Sequence, residues 1–218
     1  MKRVVVLDYG SGNLRSAQRA LERVGAEVTV TADRATALAA DGLVVPGVGA
    51  FAACMAGIEA IDGRASVAGW LASGRPLLGI CVGMQVLFES GVEHGAETVG
   101  LGVLPGRVER LNAPILPHMG WNTVTPPSDS VLFAGLDAHT RFYFVHSYGV
   151  HDTAPLIART PASSSRAPGP TVGAVTTAVH GEPFVAAVEH GAVSATQFHP
   201  EKSGDAGATL LANWLETL

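Results

Sequence analysis

Apolar positions along the chain follow two periods, and their alternation predicts the elements. Short apolar runs of strand length occur at residues 3–8, at Glu27–Thr31, at Leu43–Pro46 and at Pro76–Ile80. Between the first two, Leu14, Ala17, Leu21 and Val24 recur at helical spacing, and Gly25 closes that helix. Residues 54–73 read as helical with a break near Gly63, turning Val67, Trp70 and Leu71 inward, and Gly74 caps them. Met84–Glu89 reads as an amphipathic helix following the strand at 76–80. A final helix, Ala206–Leu218, carries Leu210, Leu211, Trp214 and Leu215 toward the core. Strands alternating with helices imply a parallel sheet with right-handed crossovers.

After Gly91 the pattern changes. Strand-like pieces at Leu101–Leu104, Val108–Leu111 and Trp121–Val124 alternate with Pro and Gly, as in antiparallel hairpins. Arg141–Tyr148 is strongly β-prone. Val185–Val188 and Val193–Gln197 read as a hairpin closed around Glu189-His190-Gly191. The fold class is therefore α/β, a mixed, mainly parallel central sheet flanked by helices with an antiparallel β extension, in one domain over residues 1–218. The Pro/Ser-rich stretch at 161–171 reads as a mobile loop without an assigned function.

Composition narrows the classes. With 47% hydrophobic residues, 15% charged residues and a net charge of −5 without like-charge blocks, the chain suits a cored domain. It shows no nucleic-acid surface and no membrane face. No apolar run approaches the roughly 20 residues of a bilayer span, and the apolar N-terminus is too short for a signal peptide. Two cysteines, Cys54 and Cys81, give no disulfide framework. A soluble cytoplasmic protein is the expectation. No Cys/His cluster has zinc spacing, so no metal and no cofactor are expected.

The chemistry sits in the loops after the strands. Gly79-Ile80-Cys81-Val82-Gly83 is a G-x-C-x-G pattern, the thiol form of a nucleophile elbow. Small neighbours permit the sharp turn, which would leave Cys81 exposed at a helix head, where the macrodipole favours thiolate. A buried structural cysteine is the competing reading. Pro46-Gly47-Val48-Gly49 follows another strand, and its N–H groups with that of Val82 offer an oxyanion hole. Far downstream, in Gln197-Phe198-His199-Pro200-Glu201, the residue before proline is pushed extended. In extended chain His199 and Glu201 project to one side. Cys81, His199 and Glu201 then make an acyl-transfer set: nucleophile, base and orienting carboxylate. The turn at residues 8–13 lacks the third glycine of a phosphate cradle and reads as a tight turn or a partner surface. Trp121, between Gly120 and Asn122, is either a core anchor or partner-facing. Surface or structural roles suit the seven other histidines.

G-I-C-V-G-M-Q and the distant Q-F-H-P-E-K-S resemble the class I (triad) glutamine amidotransferases over essentially the whole chain. D-Y-G-S-G-N-L, P-G-V-G-A-F, G-W-N and F-Y-F-V-H-S-Y resemble, within them, the glutaminase subunits of imidazole glycerol phosphate synthase. The resemblance implies Cys81 as nucleophile, His199 as base and Glu201 as orienting acid. It implies Gln85, Glu93, Ser147 and Tyr148 as glutamine contacts, and Val48 and Gly49 as the oxyanion loop. Asn13, Trp121, Tyr143 and Lys202 would face a partner. That partner is implied to be a (β/α)8-barrel cyclase in a heterodimer, which receives ammonia and makes imidazole glycerol phosphate and an aminoimidazole carboxamide ribotide. Two glycines would let the oxyanion loop switch by a peptide flip.

Overall fold

The computed structural model describes residues 1–157 and 173–218. In chain order the elements are β1 (Arg3–Leu7), α1 (Leu14–Arg23), β2 (Glu27–Thr31), α2 (Arg34–Leu38), β3 (Gly42–Gly47), α3 (Phe51–Ala60), α4 (Gly63–Ala72), β4 (Leu77–Cys81) and α5 (Val82–Gln85). Then follow β5 (Phe88–Glu93), β6 (Ala96–Val99), β7 (Leu104–Arg110), β8 (His118–Thr123), β9 (Arg141–His146), β10 (Tyr148–Gly149) and α6 (Ala154–Ile157). The chain closes with β11 (Ala174–His180), β12 (Glu182–His190), β13 (Val193–Thr196), a 3-10 turn at Pro200–Lys202 and α7 (Gly204–Leu215). The Pro/Ser-rich stretch lies outside the described residues.

A seven-stranded sheet runs in the order β11-β12-β13-β4-β3-β1-β2. Its five strands from β13 to β2 are parallel, and β11 and β12 join as an antiparallel edge. The inner strands are apolar on both faces, as helical cover on both sides requires: every residue of β3 and β4 is buried. Trp70 of α4 and Trp214 of α7 are fully buried among the core residues. Gly47 pairs with Cys81, and Thr196 with Ile80, so β3, β4 and β13 end level and side by side. Three loops, at 46–50, 81–82 and 197–203, leave these carboxyl ends together, where parallel sheets place their sites.

The β extension is a four-stranded sheet, β10-β7-β5-β6, and a ribbon, β8-β9. It departs from the sequence expectation in three ways. First, β5 and β7 pair in parallel, so the extension is not purely antiparallel. Second, the pieces anticipated at 101–104 and 108–111 are not two strands: β7 runs unbroken from Leu104 to Arg110. Third, the helix expected over Met84–Glu89 is one turn, and Phe88 already belongs to β5. Val86, Leu87 and Phe88 are all fully buried, so no polar face exists to continue a surface helix. The N–H groups of Leu101, Gly102, Val103 and Leu104 bond the carbonyls of residues 86–88 instead. Tertiary hydrogen bonds replace the helical ladder.

Candidate active site

Cys81 ends β4 with φ 57° and ψ −115°. This is a sparsely populated conformation for a side-chain-bearing residue, and strain of that kind costs about 1–3 kcal/mol. The flanking glycines make the turn possible. A Cβ at Gly83 would stand 1.9 Å from the Val45 carbonyl oxygen, and one at Gly79 would meet Gly83 O, Leu87 Cδ1 and Met84 Cα at 2.9 Å. The elbow therefore forms as anticipated, but two details differ. Cys81 is buried in the wall of a cavity, not exposed, and α5 has only four residues, so little macrodipole builds there.

His199 is extended at φ −101° and ψ 96°, but Pro200–Lys202 is not extended. The 3-10 turn, rather than strand alternation, brings Glu201 back under the ring. Glu201 Oε1 lies 2.7 Å from His199 Nδ1, and both side chains are only 3% exposed. The backbone holds the imidazole in place: His199 N–H donates to Tyr143 O at 2.9 Å, and Ser203 Oγ donates to His199 O at 2.6 Å. Burial pulls the His199 pKa down, but the nearby Cys81 sulphur and the hydrogen-bonded Glu201 carboxylate, with their negative charges, outweigh it, raising it to about 9. The ring thus carries a proton at neutral pH when the sulphur is charged.

Cys81 and His199 line one cavity of about 310 Å³. Val48, Gly49, Val82, Gln85, Glu93, Ser147, Tyr148 and Lys202 also line it. Gln85 Nε2 donates to Tyr148 O at 3.0 Å and to Gln197 Oε1 at 2.9 Å. Glu93 Oε2 accepts the Phe51 N–H at 3.0 Å, which fixes the carboxylate at the start of α3. The loop carries a further constraint. Val48 N–H donates to Ser11 Oγ at 3.3 Å, Ser11 Oγ donates to Val48 O at 2.9 Å, and Cys54 Sγ also reaches Val48 O at 3.4 Å. The Val48 N–H is thus spent on Ser11 in this structure and does not face the cavity as an oxyanion donor.

Trp121 is 54% exposed, which removes the core-anchor reading. Its ring meets Tyr143 edge-on at 5.9 Å, and Lys202 Nζ lies over Tyr143 at 5.9 Å. Asn13 is exposed at the head of α1, which packs on the 3-10 turn carrying Lys202.

Sequence reasoning missed His146 and Val145, which line the cavity, Gln197, whose Nε2 is 3.8 Å from Cys81 Sγ, and the Ser11–Cys54 contacts. One signal was available: in β9 the period of two puts Phe142, Phe144 and His146 on the buried face.

The description "Glutamine amidotransferase class-I" matches residues 5–218. A relative from Thermobifida fusca (strain YX), "Imidazole glycerol phosphate synthase subunit HisH", is 62% identical over 216 residues, covering 99% of both chains. A protein of the same name from Nocardia farcinica (strain IFM 10152) is 64% identical over 217 residues, covering 100% of this chain and 99% of its own. Among solved structures, "Crystal structure of glutamine amidotransferase" superposes with a TM-score of 0.69 at 21% identity, covering 96% of this chain and 98% of that one, a likeness of fold alone. An elbow cysteine, a histidine held by a carboxylate and a whole-length match thus lead to one conclusion: the chain belongs to the class-I glutamine amidotransferase family.

Proposed function

We propose that this chain is the glutaminase subunit of an imidazole glycerol phosphate synthase in histidine biosynthesis, with the whole chain acting as one domain. The observation that carries the chemistry is the cavity shared by Cys81 and His199, with Glu201 bound to the far side of the His199 ring through Nδ1. Cys81 Sγ attacks the side-chain amide carbon of glutamine. The oxygen becomes an oxyanion held by the N–H of Val82 and by the Val48–Gly49 loop once its peptide turns toward the cavity. His199 gives its proton to the departing nitrogen as the C–N bond breaks, leaving a thioester on Cys81 and free ammonia. His199 then takes a proton from water, whose oxygen attacks the thioester, and glutamate leaves as the thiolate reforms. Glu201 holds the imidazole tautomer and stabilises the imidazolium throughout.

Gln85, Glu93, Ser147 and Tyr148 hold the amino-acid end of glutamine. Ammonia passes to a (β/α)8-barrel cyclase partner docked over Asn13, Trp121, Tyr143 and Lys202, which makes imidazole glycerol phosphate and the ribotide product. Delivery inside a complex keeps ammonia from being protonated and diluted. The chain needs no cofactor for this chemistry, and a cytoplasmic location suits it. Ser11 holding the Val48 N–H favours a subunit that is slow alone. Ammonia release from glutamine should be weak for the chain alone and strongly stimulated by the cyclase subunit with its nucleotide ligand. Equal rates in the two conditions would refute the gated reading.

A further inference from the structure

One residue of the cavity wall, His146, is paired with a second histidine, His118, and the proposed chemistry uses neither. His146 Nδ1 is 2.8 Å from Tyr148 O, and His146 Nε2 is 3.0 Å from His118 Nδ1. Asn122 Nδ2 stands 3.2 Å from His118 Nε2 and also donates to Val179 O at 3.0 Å. The proton order is fixed from both ends. A carbonyl oxygen only accepts, so His146 must carry its proton on Nδ1 and offer a lone pair on Nε2. His118 must then donate from Nδ1 and accept on Nε2. Asn122 supplies that donor, because Val179 O requires the amide nitrogen on that side while Asn122 Oδ1 accepts the Thr123 N–H at 2.9 Å.

The array does not end at Tyr148. The same carbonyl accepts Gln85 Nε2, whose second hydrogen goes to Gln197 Oε1. Both donors of Gln85 are consumed, so only its Oε1 carbonyl remains to meet a ligand in the cavity. Phe144 stacks on His118 at 4.7 Å, and Phe184 meets both rings edge-on or tilted, at 5.5 and 5.0 Å. His180, stacked on His118 at 4.2 Å, and His199 across the site are the titratable neighbours, and a charge on either opposes protonation of the pair.

We infer that His118 and His146 are positioning residues: through the Tyr148 carbonyl they lock the Gln85 amide so that it presents an acceptor, selecting a substrate with an N–H donor. The inference rests on the glutaminase reading, since it concerns how that site grips glutamine. It sets binding rather than bond breaking. His118→Leu removes the donor to His146 and should raise KM for glutamine about tenfold while kcat changes less than about twofold. His118→Asn places an amide N–H where Nδ1–H stood and should restore most of the affinity.

The test combines these kinetics, measured on the complex with the cyclase partner, with nitrogen-15 NMR of the ring tautomers in the unmodified full-length chain. The inference predicts that both His118 and His146 are neutral and protonated on Nδ1. An Nε2–H tautomer at His146, or an unchanged KM in a folded His118→Leu variant, would overturn it. Wild-type complex without glutamine turnover would instead overturn the glutaminase reading, and the tautomer measurement would still decide the array.

Discussion

His199 is raised to about 9 although burial alone would lower it, so its proton belongs to the partners around it. Removing the Glu201 charge takes away one of the two supports. Glu201→Gln should therefore move the alkaline limb of kcat to lower pH, and lower kcat by roughly 10²–10⁴, the range for a carboxylate that fixes a catalytic imidazole. A pH–rate profile of the complex checks both. An unmoved limb would mean that Glu201 does not support the imidazolium. Cys81→Ala should abolish partner-stimulated hydrolysis, by at least about a thousandfold, with the fold unchanged by circular dichroism. His118 and His146 carry the opposite shift. Burial first of all lowers them, to about 4 and about 3. They are neutral in the folded chain and bind protons at about 6.5 when unfolded. Their contribution is complete above pH 6.5 and drains away as pH falls toward 4 and 3, at up to about 1.4 kcal/mol per pH unit for each. Denaturant titrations between pH 7 and 4 should show that slope, and it should be shallower in His118→Asn.

At the scale of elements, the elbow and the loop after β3 make contrasting demands. The elbow is rigid because Gly83 lies against the Val45 carbonyl. Gly83→Ala has no room to relax, since the obstacle is backbone on a buried strand. A loss of about 3 kcal/mol or more is expected, read as a lower unfolding midpoint. The loop at 46–49 is held by side chains instead. Gly49, at φ 86°, has open space where a Cβ would be, while Ser11 and Cys54 hold Val48. Ser11→Ala removes both hydrogen bonds between Ser11 Oγ and Val48, so it should release the Val48 N–H and raise ammonia production by the chain alone several-fold, a gain of about 1 kcal/mol. No gain in the isolated chain would show that Ser11 does not hold the loop closed.

For the whole molecule, the arrangement of sheets brings the functional parts to one rim. The central sheet supplies three loops at the carboxyl ends of β3, β4 and β13, and the ribbon β8-β9, in which Trp121 pairs with Tyr143, joins the last of them where His199 N–H donates to Tyr143 O. Pocket and exposed aromatic face are thus neighbours, which suits a partner that covers one while commanding the other.

How much of this the sequence determined follows from the range of the interactions involved. The strands at 3–8, 27–31 and 43–46, the first and last helices and the G-x-C-x-G elbow depend on local periods and on glycine sterics, and the chain alone dictates them. Cys81, His199 and Glu201 were legible as a candidate set from their residue types, and the proposal above rests on them. The end of the elbow helix was not legible, because hydrogen bonds from residues 101–104 decide it. The His199–Glu201 contact was legible in its partners but not in its route, since packing against β9 and α1 favours a 3-10 turn over extension. Val48 bound to Ser11, and the line from Asn122 through two histidines to Gln85, join segments far apart in the chain. Only the tertiary structure could assign them, because a hydrogen bond between such residues leaves no period or spacing in the sequence that makes it.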